Sequence, residues 1–297
     1  MNTTSNIPPN GVGALLFTPL FAVNAVFVSV FAVLLFVQLI LTVFFWRVYG
    51  YAIGMVDGLL LELLGYVAKV LLFHNRENKN GYIMYIIGLT LGPTFLSSSL
   101  YLTIVVLQRH YPEARFAYVR PRLFATLFIL GDFICLCLIG VGGSIAAIYA
   151  DKPIGVDLMI GGLSTQVLFT AIFCTLVAIM HRRIRKSADA EAGNWFMLVN
   201  VVGASVAAAC LFIRSCWRVA ELSKGFNGPL ASDEGVFIAL DSIPIIIMSI
   251  LLTMLHPEFW FSKYYVRVRS RCNPTVLGAL DIPALRMSQR FFVAVRN

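Results

Sequence analysis

The chain has 297 residues; 59% fall in the apolar set AVILMFWYC, 13% are Asp, Glu, Lys or Arg, the formal net charge is +8 and the mean hydropathy is +0.83. A globular domain is about 45–50% apolar and about 25% charged, and a soluble fold of this size cannot keep so much apolar surface from water. A soluble enzyme, a DNA-binding domain, a secreted disulfide scaffold and a disordered chain are all poor fits, so lipid is the solvent for much of this protein.

A transmembrane helix needs about 20 mostly apolar residues, about 30 Å at the helical rise. Residues 1–46 contain no Asp, Glu, Lys or Arg, and further charge-free runs cover 80–108, 133–150, 158–181, 192–213 and 242–257. In chain order, spans are predicted near 20–45, 51–73, 82–107, 124–149, 158–180, 195–217 and 235–257. The second carries Asp57, Glu62 and Lys69. The runs are too long for barrel strands and lack period-two alternation. The expected fold is therefore all-α: a polytopic membrane protein of seven transmembrane helices. Residues 1–19 read as an extracellular segment, 20–258 as one membrane domain and 259–297 as a basic cytosolic tail.

Lysine and arginine set the expected orientation. With the N-terminus outside, the cytosolic segments hold one, four, four and seven basic residues, sixteen in all, beginning with Arg47 and ending with the tail; the outer segments hold five. The split predicts N-out, C-in. The sequon Asn2-Thr3-Thr4 would then be open to glycosylation. No basic stretch precedes the first apolar run, so no cleavable signal peptide is expected.

The excess positive charge thus faces anionic inner-leaflet lipids, and nucleic-acid binding is not expected. The tail run Arg267, Arg269, Arg271, Cys272 reads either as an ordinary positive-inside tail or as a basic patch with an S-acylated cysteine. Cys135, Cys137, Cys174, Cys210 and Cys216 lie in spans, so no extracellular disulfide is expected.

Ionisable residues inside spans are expensive and call for a partner or a function. Glu62, Tyr66 and Lys69 are spaced to share one helical face, as are Arg214, Arg218 and Glu221, and Glu234 with Asp241. Asp132 marks the fourth span and Gln166 the fifth. With alternating span direction, Lys69, Arg214, Arg218, Glu221, Glu234 and Asp241 fall toward the outer leaflet, Glu62 near mid-bilayer and Asp132 on the inner side. The expected arrangement is a polar cavity that opens outward and narrows toward Glu62. The plainer reading of any one residue is a helix–helix ion pair, such as Arg214 or Arg218 with Asp241 or Glu234. Gly54-x-x-x-Gly58 and Gly88-x-x-x-Gly92 suit close helix approach. Pro93 and Pro244 sit where they can kink helices. Gly140-Val-Gly142-Gly143 lies within an apolar helix and lacks the setting of a phosphate loop.

Several motifs occur together in order. They are Pro19 with Asn24, Phe27 and Phe31; Glu62-x-x-Gly65-Tyr66; Asn80-x-Tyr82 with Pro93 and Tyr101; Pro121, Asp132 and Gly142-Gly143; Gly162-Leu163-x-x-Gln166 with Phe173; and Arg214-x-x-x-Arg218-x-x-Glu221, Gly225, Glu234, Asp241 and His256-Pro257. In these the chain resembles the fungal lipid-translocating exporters, the RTA-like family named for resistance to aminocholesterol, from about Thr18 to Pro257. It departs from the family pattern at Lys69, where Arg is usual, at Gly81 in place of Pro, and at Tyr85 and Ile139, each in place of Gln. The resemblance implies a seven-span fungal membrane protein acting on amphiphiles, with members linked to toxic-lipid resistance, release of sphingoid long-chain bases and porphyrin uptake.

The functional expectation is a plasma-membrane translocase for amphiphilic lipids of the long-chain-base kind, conferring lipid or drug resistance. Its candidate binding residues are Glu62, Tyr66, Lys69, Tyr101, Asp132, Gln166, Arg214, Arg218, Glu221, Glu234 and Asp241. Glu62 and Asp241 suit the ammonium, with aromatic faces adding cation–π contact. No Walker motif is present, so movement is downhill or gradient-coupled. Neither cofactor nor metal is expected. The alternative is a seven-helix receptor or regulator of lipid signalling, although the third span ends Leu107-Gln108-Arg109-His110 without an acidic-Arg-Tyr motif. A third reading, an intramembrane zinc hydrolase, would draw on His110, His181 and His256, which lie at the ends of three spans with no His-x-x-x-His pair.

Overall fold

The computed structural model describes residues 20–44, 49–75, 78–110, 121–148, 154–188, 195–222 and 234–256. The readings of Asn2, the N-terminal segment, Arg47, Cys272 and the basic tail fall outside these residues.

Among the described residues seven helices run in chain order: α1 (Phe21–Phe44), α2 (Tyr49–His74), α3 (Lys79–His110), α4 (Pro121–Ile148), α5 (Ile154–Ala188), α6 (Trp195–Leu222) and α7 (Glu234–Met254). The described secondary structure contains no strand. Six helices are long and apolar enough to cross a membrane; the exception, α2, is 26 residues long and carries Asp57, Glu62 and Lys69. It packs between α1 and α3 and hides both Glu62 and Lys69 there. Every predicted span coincides with a helix. The largest difference is at α5, which continues past residue 180 to Ala188, so that Arg182, Arg183, Arg185 and Lys186 extend the helix instead of forming a loop. Basic side chains in a last turn suit the negative end of the helix dipole.

The distribution of polarity is that of a membrane bundle. Val43, Phe36 and Leu168 are 78%, 65% and 61% exposed, while Asn24, Glu62, Lys69, Asp132, Arg214, Glu234 and Asp241 are buried. Consecutive helices pack side by side, α3 touches α2, α4, α6 and α7, and α7 closes the bundle against α1. Aromatic side chains fill the centre. Tyr66 stacks on Phe31 with ring centroids 5.4 Å apart and meets Phe27 edge-on. Tyr101 meets Phe173 edge-on at 4.6 Å.

Two local features place the polar groups. The first is the glycine seam between α2 and α3. A Cβ on Gly88 would lie 2.6 Å from the Leu61 carbonyl oxygen and 2.7 Å from the Gly65 Cα. One on Gly58 would lie 2.7 Å from Leu96 Cγ. The backbones therefore approach as small-xxx-small motifs allow. The second is in α7, where residues Ile238–Ser242 form a π turn and the Ile243 N–H donates to the Ile238 carbonyl, five residues back. Pro244 follows immediately and cannot donate to an ordinary α ladder. The widened turn accommodates it and holds Asp241 and Ser242 toward the interior, where both are buried.

At the other end of α7 the Tyr51 hydroxyl donates to the Leu252 carbonyl at 2.6 Å. This satisfies one of the last-turn carbonyls that a helix leaves unpaired. The His256 ring sits edge-on to Tyr51, with ring centroids 5.1 Å apart.

The seam predicts a stability difference. Gly88→Val costs about 1–3 kcal/mol by overpacking against backbone, read as a lower unfolding midpoint in detergent. Gly140→Val, where nothing lies within 4 Å of the added Cβ, leaves that midpoint in place. Equal shifts in the two variants would contradict the close approach.

Candidate functional site

The in-span charges collect where α2 and α6 end and α1, α3 and α7 begin. Arg214 of α6 lies at their centre. Its Nε is 3.1 Å from Asp241 Oδ1 of α7, and its terminal nitrogen donates to the Leu89 carbonyl of α3 at 2.5 Å. One turn on, Arg218 donates to Glu221 Oε2 at 2.7 Å within its own helix and reaches Thr90 Oγ of α3 at 3.4 Å. Glu234 opens α7, a favoured place for a carboxylate. It accepts the Leu20 N–H at 2.6 Å and the Asn24 amide at 2.8 Å, so α1 and α7 are tied together. Lys69 Nζ stands 3.8 Å from Glu234 Oε1, 3.8 Å from the centroid of Phe237 and 5.5 Å from that of Tyr85.

Glu62 lies deeper. Its carboxylate occupies space left by Gly92, whose Cβ would stand 3.0 Å from Glu62 Oε1. That oxygen is buried and has no hydrogen bond among the described residues. Arg214, Arg218 and Asp241 are its charged neighbours, yet among the described residues no cation comes within salt-bridge distance. Within this cluster Glu62, Glu221, Glu234 and Asp241 face three cations, Lys69, Arg214 and Arg218. Each cation pairs with one carboxylate, and Glu62 is the carboxylate left over. Just above it the Tyr66 hydroxyl faces Ser242 of the π turn, outside hydrogen-bonding geometry.

Asp132 belongs to a second, separate centre. Its Oδ2 accepts the hydroxyls of Ser97 and Tyr101, both at 2.8 Å, while Oδ1 has no hydrogen bond among the described residues. Ser97 and Tyr101 lie five and nine residues past Gly92 on α3, so this centre is about 7–14 Å further along the bundle. Gln166 is half-buried on α5, and among the described residues its side chain joins neither centre. Ten of the eleven candidate residues thus divide between one cluster of eight and one of two. Sequence periodicity missed Asn24, Tyr85, Phe237 and Ser242 as members of the large cluster. Asn24, one of two buried amides with Gln38 in a mostly apolar helix, carried a readable signal. Tyr85 stood out only as a departure from the family pattern, and Phe237 carried no signal, being one aromatic residue among many.

Of the histidines considered for zinc, His181 lies with Nδ1 3.0 Å from Ser205 Oγ, and His256 packs on Tyr51. Among the described residues no group of three His, Cys, Asp or Glu side chains converges.

This geometry coincides with a family match. Residues 55–264 match the family described as RTA1 like protein. The chain belongs to the RTA1-like family. The match covers Glu62, Lys69, Asp132 and the Arg214–Asp241 set, and it begins after the first-span motif of Asn24, Phe27 and Phe31. Among curated relatives, the sphingoid long-chain base transporter RSB1 of Saccharomyces cerevisiae strain S288c is 25% identical over 272 residues, covering 79% of this chain and 70% of its own. Protein RTM1 of the same species is 22% identical, with 65% and 63% covered. Protoporphyrin uptake protein 1, also of S. cerevisiae, is 23% identical, with 66% and 65% covered. No solved structure matches. The protein is a multi-pass integral membrane protein of a family whose curated members include named transporters.

The Arg214–Asp241 contact makes a stability prediction. Truncating one member of a buried pair strands the other charge and costs about 3–5 kcal/mol. Arg214→Met is expected to lose that much in detergent unfolding, and adding Asp241→Asn to restore a large part of it. A double variant no more stable than the single one would show that the pair is not coupled.

Proposed function

We propose that this chain is a translocase for single-chain amphiphiles that carry an amine, of the sphingoid long-chain-base kind. The observation that carries the reading is Glu62: a buried carboxylate without a cation of its own, at the floor of a cluster shared by five helices. Burying such a charge is unfavourable unless something pairs with it. An ammonium brought by the substrate meets that need, and a sphingoid base has one. The aromatic faces of Tyr66 and Tyr101 suit a cation or an alkyl chain. The lipid-facing rows of Phe, Leu and Val give the tail an apolar path along the bundle. The similarity to RSB1, a sphingoid long-chain base transporter, supports the same substrate class.

In this reading Arg214 and Arg218 shape the cluster and accept the hydroxyl or anionic end of an amphiphile. Glu221, Glu234 and Asp241 balance them, and Asp132, Tyr101 and Gln166 lie further along the route. Movement draws on a gradient of the amphiphile or of an ion instead of nucleotide hydrolysis. The N-terminus is outside and the C-terminus cytosolic, with the basic tail against anionic lipids of a plasma membrane. The physiological result is resistance to toxic lipids or drugs.

Transbilayer movement of a labelled long-chain base in proteoliposomes tests the role of Glu62. Glu62→Gln keeps the shape, removes the charge and is expected to slow movement on the order of tenfold, the size of one weakened charge contact. Unchanged movement at equal incorporation would remove Glu62 from the mechanism. Movement of no amphiphile by the intact protein would favour the receptor or regulator reading. The proposed orientation has its own test: a tag after Asn297 should be reached by antibody only in permeabilised cells.

A further inference from the structure

Lys69 is held unlike the other two buried cations. Arg214 and Arg218 each donate hydrogen bonds, whereas the Lys69 ammonium donates none among the described residues. It rests against the Phe237 face at 3.8 Å, with Tyr85 at 5.5 Å and Glu234 at 3.8 Å, beyond hydrogen-bonding distance. Glu234 does not follow the lysine, because the Leu20 N–H and Asn24 amide fix both its oxygens. A carboxylate and two ring faces around an ammonium are what proteins use to recognise alkylammonium ligands. The lysine side chain is itself four methylenes ending in a primary ammonium, the same chemistry as the polar end of a long-chain amine.

We propose that Phe237, Tyr85 and Glu234 form a primary-ammonium subsite that the chain closes with its own Lys69, and that an incoming amine amphiphile displaces this side chain. Displacement breaks no hydrogen bond. Asp241 and Glu221 also lie within electrostatic reach of Lys69, so carboxylates other than Glu234 are close by for a displaced ammonium. Lys69 therefore acts as a tethered competitor: it keeps the subsite filled in the absence of substrate and sets how much amine is needed to open it. The inference takes its substrate class from the proposed function and adds a second amine position, apart from Glu62 and nearer the start of α7, together with what guards it.

Equilibrium binding to purified protein tests it, with a radiolabelled C18 long-chain base and a C18 alcohol as probes. Lys69→Met removes the competitor, so the base should bind about tenfold more tightly and the alcohol as before. Lys69→Gln should act in the same direction and serves if the Met variant unfolds. Adding Phe237→Leu should abolish the gain. Base affinity no higher in either lysine variant would overturn the subsite. A gain that survives Phe237→Leu would also overturn it, since loss of one positive charge would then account for everything. If a lysine variant gains affinity but vesicles show no movement of any amphiphile, the subsite stands and the translocase reading falls.

Discussion

The contact on which the bundle depends is Arg214 with Asp241, braced by the Leu89 carbonyl. It joins α6, α7 and α3 at one point. A guanidinium in a lipid-surrounded interior has few ways to be tolerated, and here each requires a different helix to be in register. The π turn brings Asp241 into position, and Pro244 is the covalent reason for that turn. Neighbouring groups then arrange around the pair, with Arg218 bound to Glu221 and Thr90, and Glu234 held between α1 and Lys69.

Opposed to this is the packing between α2 and α3. Without a hydrophobic drive between helices in lipid, close approach has to come from small residues. Gly65 against Gly88 and Gly58 against Gly92 supply it. The same absence of side chains makes room for a functional group, because the space at Gly92 is where Glu62 lies. Adhesion and site thus share one device. α2, with Glu62 and Lys69 inside its span, is tolerated because α1 and α3 cover it.

The two polar centres differ in kind. The large cluster is a network of both signs in which three of four carboxylates are matched, and its odd member faces inward at Glu62. The centre at Asp132 has hydroxyls and rings around it and no cation among the described residues. α3 carries contacts to both, from Thr90 to Tyr101. A rigid-body shift of α3 would therefore be felt at each centre.

The sequence by itself determined the number and type of the described helices, though not the end of α5, since a 20-residue apolar run has only one way to satisfy its backbone in lipid. It also picked out the charged residues inside the spans, because lipid excludes all but a few and helical spacing puts Arg214, Arg218 and Glu221 on one face. The tertiary structure decided who meets whom. Spacing allowed Glu234 to pair with Arg214 or Arg218, and the fold gives it to Lys69 and Asn24 instead. It keeps Arg218 within its own helix, separates Asp132 into another centre and leaves Gln166 aside. Periodicity is a property of one helix and can be read along the chain. Pairing depends on where helices cross, and those crossings are set by glycine contacts and a π turn whose partners are distant in sequence.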